Sequence, residues 1–143
     1  MTLNYKVLVR TSNVGDAGTN AKVYLIINGE NGSTPEVRLD NVKDNFERYE
    51  HDLFTVTSIH DLGKLTSIRI RHDNTGSQPG CHLSYVMIQN PKSLAMWYFP
   101  LNDWLAEGHP KGVQETIDAA VLNGDIVVSD DPPPAPPPHG HHE

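Results

Sequence analysis

The chain has 143 residues, of which 37% are hydrophobic and 20% are charged, a composition typical of one globular domain. Its formal net charge is −7 at pH 7 and it has no basic cluster, which argues against nucleic-acid binding and against purely electrostatic binding to anionic lipid. No apolar run approaches the roughly 18 residues of a membrane-spanning helix, so we expect a soluble domain without a transmembrane segment.

Seven short segments rich in Val, Ile, Tyr, Phe and Thr are each closed by a turn-forming residue, as is typical of an all-β sandwich. They are YKVLVRT, AKVYLIING, EVRL, HDLFTVTS, LTSIRIRHD, HLSYVMIQN and LAMWYFPL. In several of them apolar and polar residues alternate, so one face of each strand is expected to lie in the core. The nearly continuous apolar run from Lys22 to Ile27 predicts a strand inside a sheet rather than at its edge.

The pattern changes after Leu105, where GHPKG interrupts the strands. Apolar residues then recur at helical spacing, at Val113, Ile117, Ala120 and Val121, before a short β-like DIVVSD. These features predict a sandwich over residues 1–108 and an appendage over 109–130 with a short helix and strand. Residues 131–143 are too rich in proline to pack, and we expect a disordered tail whose histidines are solvated rather than metal-bound.

Three loop segments combine glycine with short side chains that carry oxygen atoms. They are GDAGTN at residues 15–20, KDNFE at 43–47 and HDNTG at 72–76. Calcium takes about six to eight oxygen ligands, and the loops of a sandwich meet at its ends, where such ligands can converge. The same composition is also ordinary for turns, so on spacing alone turn formation is the more frequent explanation.

Other residues argue against catalysis. The chain has no G-x-S-x-G elbow and no phosphate-binding loop, and Cys81 and His82 are neighbours on one predicted strand, so they point to opposite faces. Five histidines outside the tail show no metal-binding spacing, and Trp97 and Trp104 are expected to seal the core. A single cysteine and an N-terminus without a secretory signal favour a cytoplasmic location. We therefore expect no enzymatic activity.

Four motifs, in this order and at these distances, resemble the PLAT domain family. They are YKVLVRTSNVGDAGTNAKVYLIINGENG, NFERYEHDLFTV, LGKLTSIRIRHDNTGSQPG and WYFPLNDWL, and they extend from Tyr5 to Leu105. The resemblance implies an eight-stranded antiparallel β-sandwich. It also implies a non-catalytic module that binds membrane lipid or a protein partner, in many members with calcium.

The resemblance further implies where calcium would bind. One set of ligands comes from the glycine-threonine motif, here Gly18, Thr19 and Asn20. A second set comes from the segment leading into the Phe-Glu-Arg motif, here Asp44, Asn45 and Glu47. To these we add Asp73 and Asn74, from the loop after IRIRH.

Two differences from the family pattern bear on this site. Asn20 stands where an aspartate is common, and Asp44 is the only carboxylate where two would bind more tightly, so calcium affinity is expected to be weak. The family typically has a tryptophan where this chain has Cys81, and Phe46 is expected to be buried, which leaves the candidate loops without an exposed aromatic.

The sequence thus predicts a targeting or interaction module in the cytoplasm or at the membrane surface. It would bind membrane lipid or a protein partner, modulated by calcium in its acidic loops. The alternative is a metal-independent interaction or scaffold domain, in which PPPAPPP is the ligand for a partner's aromatic groove.

Overall fold

The computed structural model describes residues 2–19, 21–40, 45–76 and 79–120, which form nine strands in two antiparallel sheets. The strands are β1 (Leu3–Thr11), β2 (Val23–Gly29), β3 (Gly32–Ser33), β4 (Val37–Arg38), β5 (His51–Ser58), β6 (Leu65–His72), β7 (Cys81–Gln89), β8 (Met96–Leu105) and β9 (Gln114–Asp118). Sheet A has the order β5-β1-β7-β8, and sheet B has the order β3-β2-β6-β9 with β4 also paired to β2. The predicted all-β antiparallel sandwich is confirmed. The described residues form nine strands rather than the expected eight, of which β3 and β4 are only two residues long.

Alternation along the strands places the core between the two sheets. In β1, Tyr5, Val7 and Val9 are fully buried, whereas Lys6 between them is exposed. Strand β6 repeats this pattern, with buried isoleucines separated by an arginine. Strand β2 has neighbours on both sides, as its apolar sequence predicts. The hydrophobic effect on alternate residues therefore accounts for both sheets.

The predicted helix after Leu105 is wrong where the structure describes it, because Gln114–Asp118 form β9 and pair with β6 at the edge of sheet B. Val113 and Ile117 are four residues apart, a spacing that places them on one face of a strand as well as of a helix. Ile117 is buried opposite Ile68, and that packing selects the strand. The predicted strand in DIVVSD and the tail lie outside the described residues, and the boundaries at residues 108 and 130 stay predictions.

One end of the sandwich, called the loop end below, gathers four connections. These connections join β1 to β2, β4 to β5, β6 to β7, and β8 to β9. All three oxygen-rich loop segments belong to them. Across the described parts of the chain, no helix is long and apolar enough to cross a membrane.

Candidate functional site

The glycine-threonine loop at the loop end is held from several sides. The His82 N–H donates to the Ala17 carbonyl at 3.0 Å, and the Thr19 hydroxyl donates to the Pro79 carbonyl and accepts from the Ala21 N–H. Ala17 is also buried in a small apolar cluster with Val14 and Trp104. These contacts hold the loop in one position. Trp104 is buried at this end of the fold, as its sequence context predicts.

The second loop lies directly against the first. The Thr19 N–H donates to the Phe46 carbonyl at 2.9 Å. Gly18 packs so closely that a Cβ atom there would lie 3.1 Å from the Phe46 carbonyl oxygen and 3.2 Å from Glu47 Oε2. The predicted ligands Gly18, Asn45 and Glu47 thus belong to two segments in contact, whereas Asn20 and Asp44 lie outside the described residues.

Phe46 fixes the second loop in an unusual conformation. Its φ is +62°, a region that a bulky residue adopts only when its surroundings impose it. The buried Phe46 ring stacks on Phe54 with centroids 5.4 Å apart, and the Phe46 N–H donates to Asp52 Oδ2 at 2.8 Å. Phe46 is therefore the buried anchor that the sequence predicts. The fully buried Asp52 is a supporting residue that was not among the predicted site residues.

Asn45 supplies an observation that bears on a metal ion. Its side-chain oxygen Oδ1 is buried and has no hydrogen-bond partner among the described residues. A buried polar atom normally has a partner, because leaving it without one costs free energy. An amide oxygen of this kind beside Glu47 fits a cation that takes oxygen ligands. Within the described residues, however, no group of three or more His, Cys, Asp or Glu side chains could hold a metal.

The third loop is organised by its own hydrogen bonds. Asp73 Oδ1 accepts from the Lys22 N–H, the Thr75 N–H and the Thr75 hydroxyl, and Asn74 donates from its side chain to Glu107. Partial burial alone would raise the pKa of Asp73, but the bonds from Thr75 and Lys22 lower that pKa below its usual value. Asp73 therefore carries a stabilised negative charge near the start of β2. Its observed hydrogen bonds go to Thr75 in the same loop and to the backbone of Lys22.

Two buried histidines tie the loops to the sandwich. His72 donates from Nε2 to the Leu105 carbonyl and accepts the Asn74 N–H at Nδ1, and burial lowers its pKa. His82 lies 2.7 Å from the Ser12 hydroxyl and packs edge-on against Trp104, and burial lowers its pKa to about 4. Both imidazoles are consequently neutral near pH 7 and act as structural anchors.

The residues near the missing family tryptophan correct one expectation. Cys81, at that position, is 1% exposed, and burial raises the pKa of its thiol to about 12. Tyr49, two residues beyond the second loop segment, is 44% exposed and lies under the Arg10 guanidinium, 4.0 Å from its ring centroid. The loop end therefore does present an aromatic side chain, at a position outside the oxygen-rich segment 43–47 from which the expectation was drawn.

The contact at Gly18 gives a prediction about stability. Gly18→Ala should lower the free energy of unfolding by about 1–2 kcal/mol, because the new methyl group presses on the backbone of the second loop. Gly15→Ala in the same loop is the matched control, since a Cβ there meets nothing within 4 Å. Urea unfolding of both variants measures the difference, and equal stability of the two would contradict the close packing described.

The fold and the loop end together define an antiparallel β-sandwich domain that presents oxygen-rich loops at one end. Comparison with known sequences and structures then gives the family. The chain belongs to the PLAT/LH2 domain family, which matches residues 5–117. The resemblance predicted from four motifs is thereby confirmed.

Relatives contain this domain as a small part of a much longer chain. This chain is 43% identical over 109 residues to human lipoxygenase homology domain-containing protein 1. The alignment covers 73% of this chain and 5% of that protein. This chain is also 31% identical over 102 residues to human polycystin-1, and that alignment covers 71% of this chain and 2% of that protein. What those whole proteins do is therefore not carried over to this chain.

Solved structures show the same fold at low sequence identity. The coral 8R-lipoxygenase structure superposes with a TM-score of 0.71 at 24% identity, covering 81% of this chain and 17% of that one. Alpha toxin from Clostridium absonum superposes with a TM-score of 0.62 at 23% identity, covering 82% of this chain and 31% of that one. These likenesses establish the fold alone.

Proposed function

We propose that this domain is a non-catalytic targeting module whose loop end binds a membrane surface, with calcium as the modulator. The observation that carries the proposal is the buried amide oxygen of Asn45, which has no hydrogen-bond partner among the described residues. Asn45 lies two positions before Glu47, in the loop whose Phe46 and Glu47 pack against Gly18. The coral 8R-lipoxygenase is described as calcium-activated through a C2-like domain, which supports the same modulator for this fold.

The chain's own residues would have distinct roles at this end. Gly18 leaves room for the Phe46 backbone, and Asn45 and Glu47 supply oxygen atoms, with Asp44 and Asn20 as the further predicted ligands from segments that are not described. Asp73 and Asn74 stay predicted ligands of the adjoining loop. Bound calcium would supply positive charge and open coordination positions for a phosphate oxygen. Because few carboxylates contribute, we expect weak affinity, in the micromolar to millimolar range.

Tyr49 favours a membrane over a protein as the partner. Tyrosine has an apolar ring and a polar hydroxyl, and such side chains concentrate at the interface between lipid and water. Tyr49 is three residues beyond Phe46 at the same end of the sandwich, and it is 44% exposed although Arg10 lies over one face of its ring. Calcium at the loop end would offset the net negative charge of the chain, which otherwise repels anionic lipid.

The proposed absence of catalysis is supported by Cys81 and His82. The thiol is buried with a pKa of about 12, and the imidazole packs on the opposite side of the strand, where it contacts Ser12 and Trp104. A thiol that is neutral and inaccessible is a poor nucleophile. A cytoplasmic location and the alternative role of the Pro-rich tail stay predictions.

Calcium titration tests the proposal. The full chain, stripped of metal, should bind calcium saturably by calorimetry and should sediment with phosphatidylserine vesicles only when calcium is present. Asp44→Ala with Glu47→Ala should weaken calcium binding by on the order of tenfold or more, because two charged ligands are removed. Glu30→Ala with Asp118→Ala removes the same charge at the other end of the sandwich and is the matched control.

The outcomes separate the parts of the proposal. No heat and no change in melting temperature at millimolar calcium would contradict the calcium site. Unchanged affinity in the Asp44 and Glu47 double variant would contradict the ligand assignment. Calcium binding without vesicle binding would reject the membrane and leave a protein partner.

A further inference from the structure

The outer face of sheet A carries an apolar row that crosses the whole sheet. The strand register aligns Leu53 on β5, Leu8 on β1, Met87 on β7 and Tyr98 on β8. The neighbouring row is Thr55, Lys6, Gln89 and Met96. Leu8, Leu53, Met87 and Met96 line one shallow groove of about 170 Å³, with Lys6 and Gln89 on its rim.

This row is exposed among the described residues. Leu53 in this row is 58% exposed and Met96 in the neighbouring row is 44% exposed, whereas the outer face of an antiparallel sheet is normally polar. In β5 the apolar residues Phe54 and Val56 face the core, so Leu53 is an additional apolar residue on the solvent side. An apolar row that spans four strands indicates a surface that another segment covers.

The described chain ends beside this row. The Ala120 N–H donates to the Tyr98 carbonyl at 2.8 Å, and Ala120 forms an antiparallel bridge with Tyr98, the last member of the apolar row. The described chain therefore ends at Ala120, at the edge of sheet A. The row spans three strand spacings, about 14 Å, and each extended residue advances about 3.3 Å, so five residues suffice to cross it.

The next part of the sequence has the composition to cover the row. Residues 121–131 read VLNGDIVVSDD, in which the Asn-Gly pair is a turn signal and Ile126, Val127 and Val128 follow it. Acidic residues flank the apolar triplet at positions 125, 130 and 131. They complement Lys6 on the rim of the groove, in a chain whose net charge is otherwise negative.

We propose that residues 121–129 of the same chain cover the outer face of sheet A. The segment leaves the sheet edge at Ala120, turns at Asn123 and Gly124, and crosses the apolar row. Ile126 and Val128, which lie on the same side of an extended segment, contact the row, whereas Val127 points away from it. This surface is separate from the loop end, so the inference stands independently of the proposed calcium site.

Methionine oxidation tests the cover in the full-length chain. Met87 and Met96 both line the groove, and hydrogen peroxide oxidises a methionine according to its exposure. If no segment covers the row, Met96 keeps its 44% exposure and should oxidise at about half the rate of a methionine in a free peptide. A covered Met96 should oxidise at roughly one tenth of that reference rate or less. Peptide mass spectrometry measures both residues.

Substitutions in the segment give the decisive comparison. Ile126→Asp with Val128→Asp should raise the oxidation rate of Met96 at least roughly threefold. Val127→Asp, whose side chain points away from the row, should leave that rate within about twofold. Equal rates in the double variant and the unsubstituted chain would overturn the proposal. Protection that disappears on dilution, together with a concentration-dependent mass in sedimentation, would also overturn it, because a second copy would then be the cover.

Discussion

Asp52→Ala is expected to destabilise the domain by about 2–3 kcal/mol. Asp52 is fully buried, and its Oδ2 accepts the Phe46 N–H at 2.8 Å. Removing the carboxyl group leaves that N–H buried without its acceptor, and a lost bond to such a group costs about 1.5–3 kcal/mol. Phe46 also has a φ of +62°, so the loop is held in a conformation that it would leave once the bond is lost. Urea unfolding measures the change.

The same substitution should weaken calcium binding, if the proposed function holds, because Asn45 and Glu47 flank Phe46 and are positioned by it. Asp52→Asn keeps an oxygen acceptor of nearly the same shape and is the matched control, which should lose less than half as much stability. Glu47→Ala provides the converse comparison, since it should weaken calcium binding with a smaller effect on unfolding. Stability of Asp52→Ala within about 0.5 kcal/mol of the unsubstituted chain would show that the Asp52 bond does not hold the loop.

Much of the fold could be predicted because its strands bury alternate residues. All seven predicted segments contain a strand. Strand β5 keeps the period-two pattern throughout, β1 keeps it as far as Val9, and β6 keeps it from Ile68 onward. Strands β3 and β4 have two residues each, too few for any period to be visible. Strand β9 was misread because Val113 and Ile117 satisfy both periods, and only the partner strand β6 distinguishes them.

The candidate site could be predicted less completely, because its geometry depends on contacts between distant segments. The motifs located Gly18, Asn45 and Glu47, but their contact depends on the hydrogen bond from Thr19 to Phe46, which no local pattern contains. Asp52 did leave a signal. It shares parity with the buried Phe54, so a polar residue on the core side of β5 indicated a buried carboxyl group with a specific partner.

Leu53 is the counterpart of Asp52 on the same strand. The alternation of β5 places an aspartate toward the core and a leucine toward the outside, the reverse of what each side chain would favour alone. Asp52 supports the second loop at the loop end. Leu53 belongs to the apolar row of sheet A. Violations of a local pattern are therefore informative here: the first marks an observed contact with another segment, and the second marks the surface for which a cover is proposed.

Acidification should destabilise the domain between pH 6.5 and pH 4 through His82. Burial lowers the pKa of His82 to about 4 from 6.5, so the unfolded chain takes up a proton in this range before the folded chain does. Stability is therefore fully present above pH 6.5 and falls as the pH decreases toward 4. The shift corresponds to a loss of about 3 kcal/mol at most, and burial of His72 adds to it in the same direction. Chemical unfolding at successive pH values measures the slope.

His82→Gln separates this contribution from the titration of carboxylates. The variant should be less stable at pH 7, because it loses the edge-on contact with Trp104 and the hydrogen bond with the Ser12 hydroxyl. Its stability should nevertheless change less between pH 6.5 and pH 5. Asp103 opposes the effect of burial on the pKa of His82, so Asp103→Asn should steepen the dependence on pH. An identical slope in His82→Gln and the unsubstituted chain would mean that other groups cause the loss at acid pH.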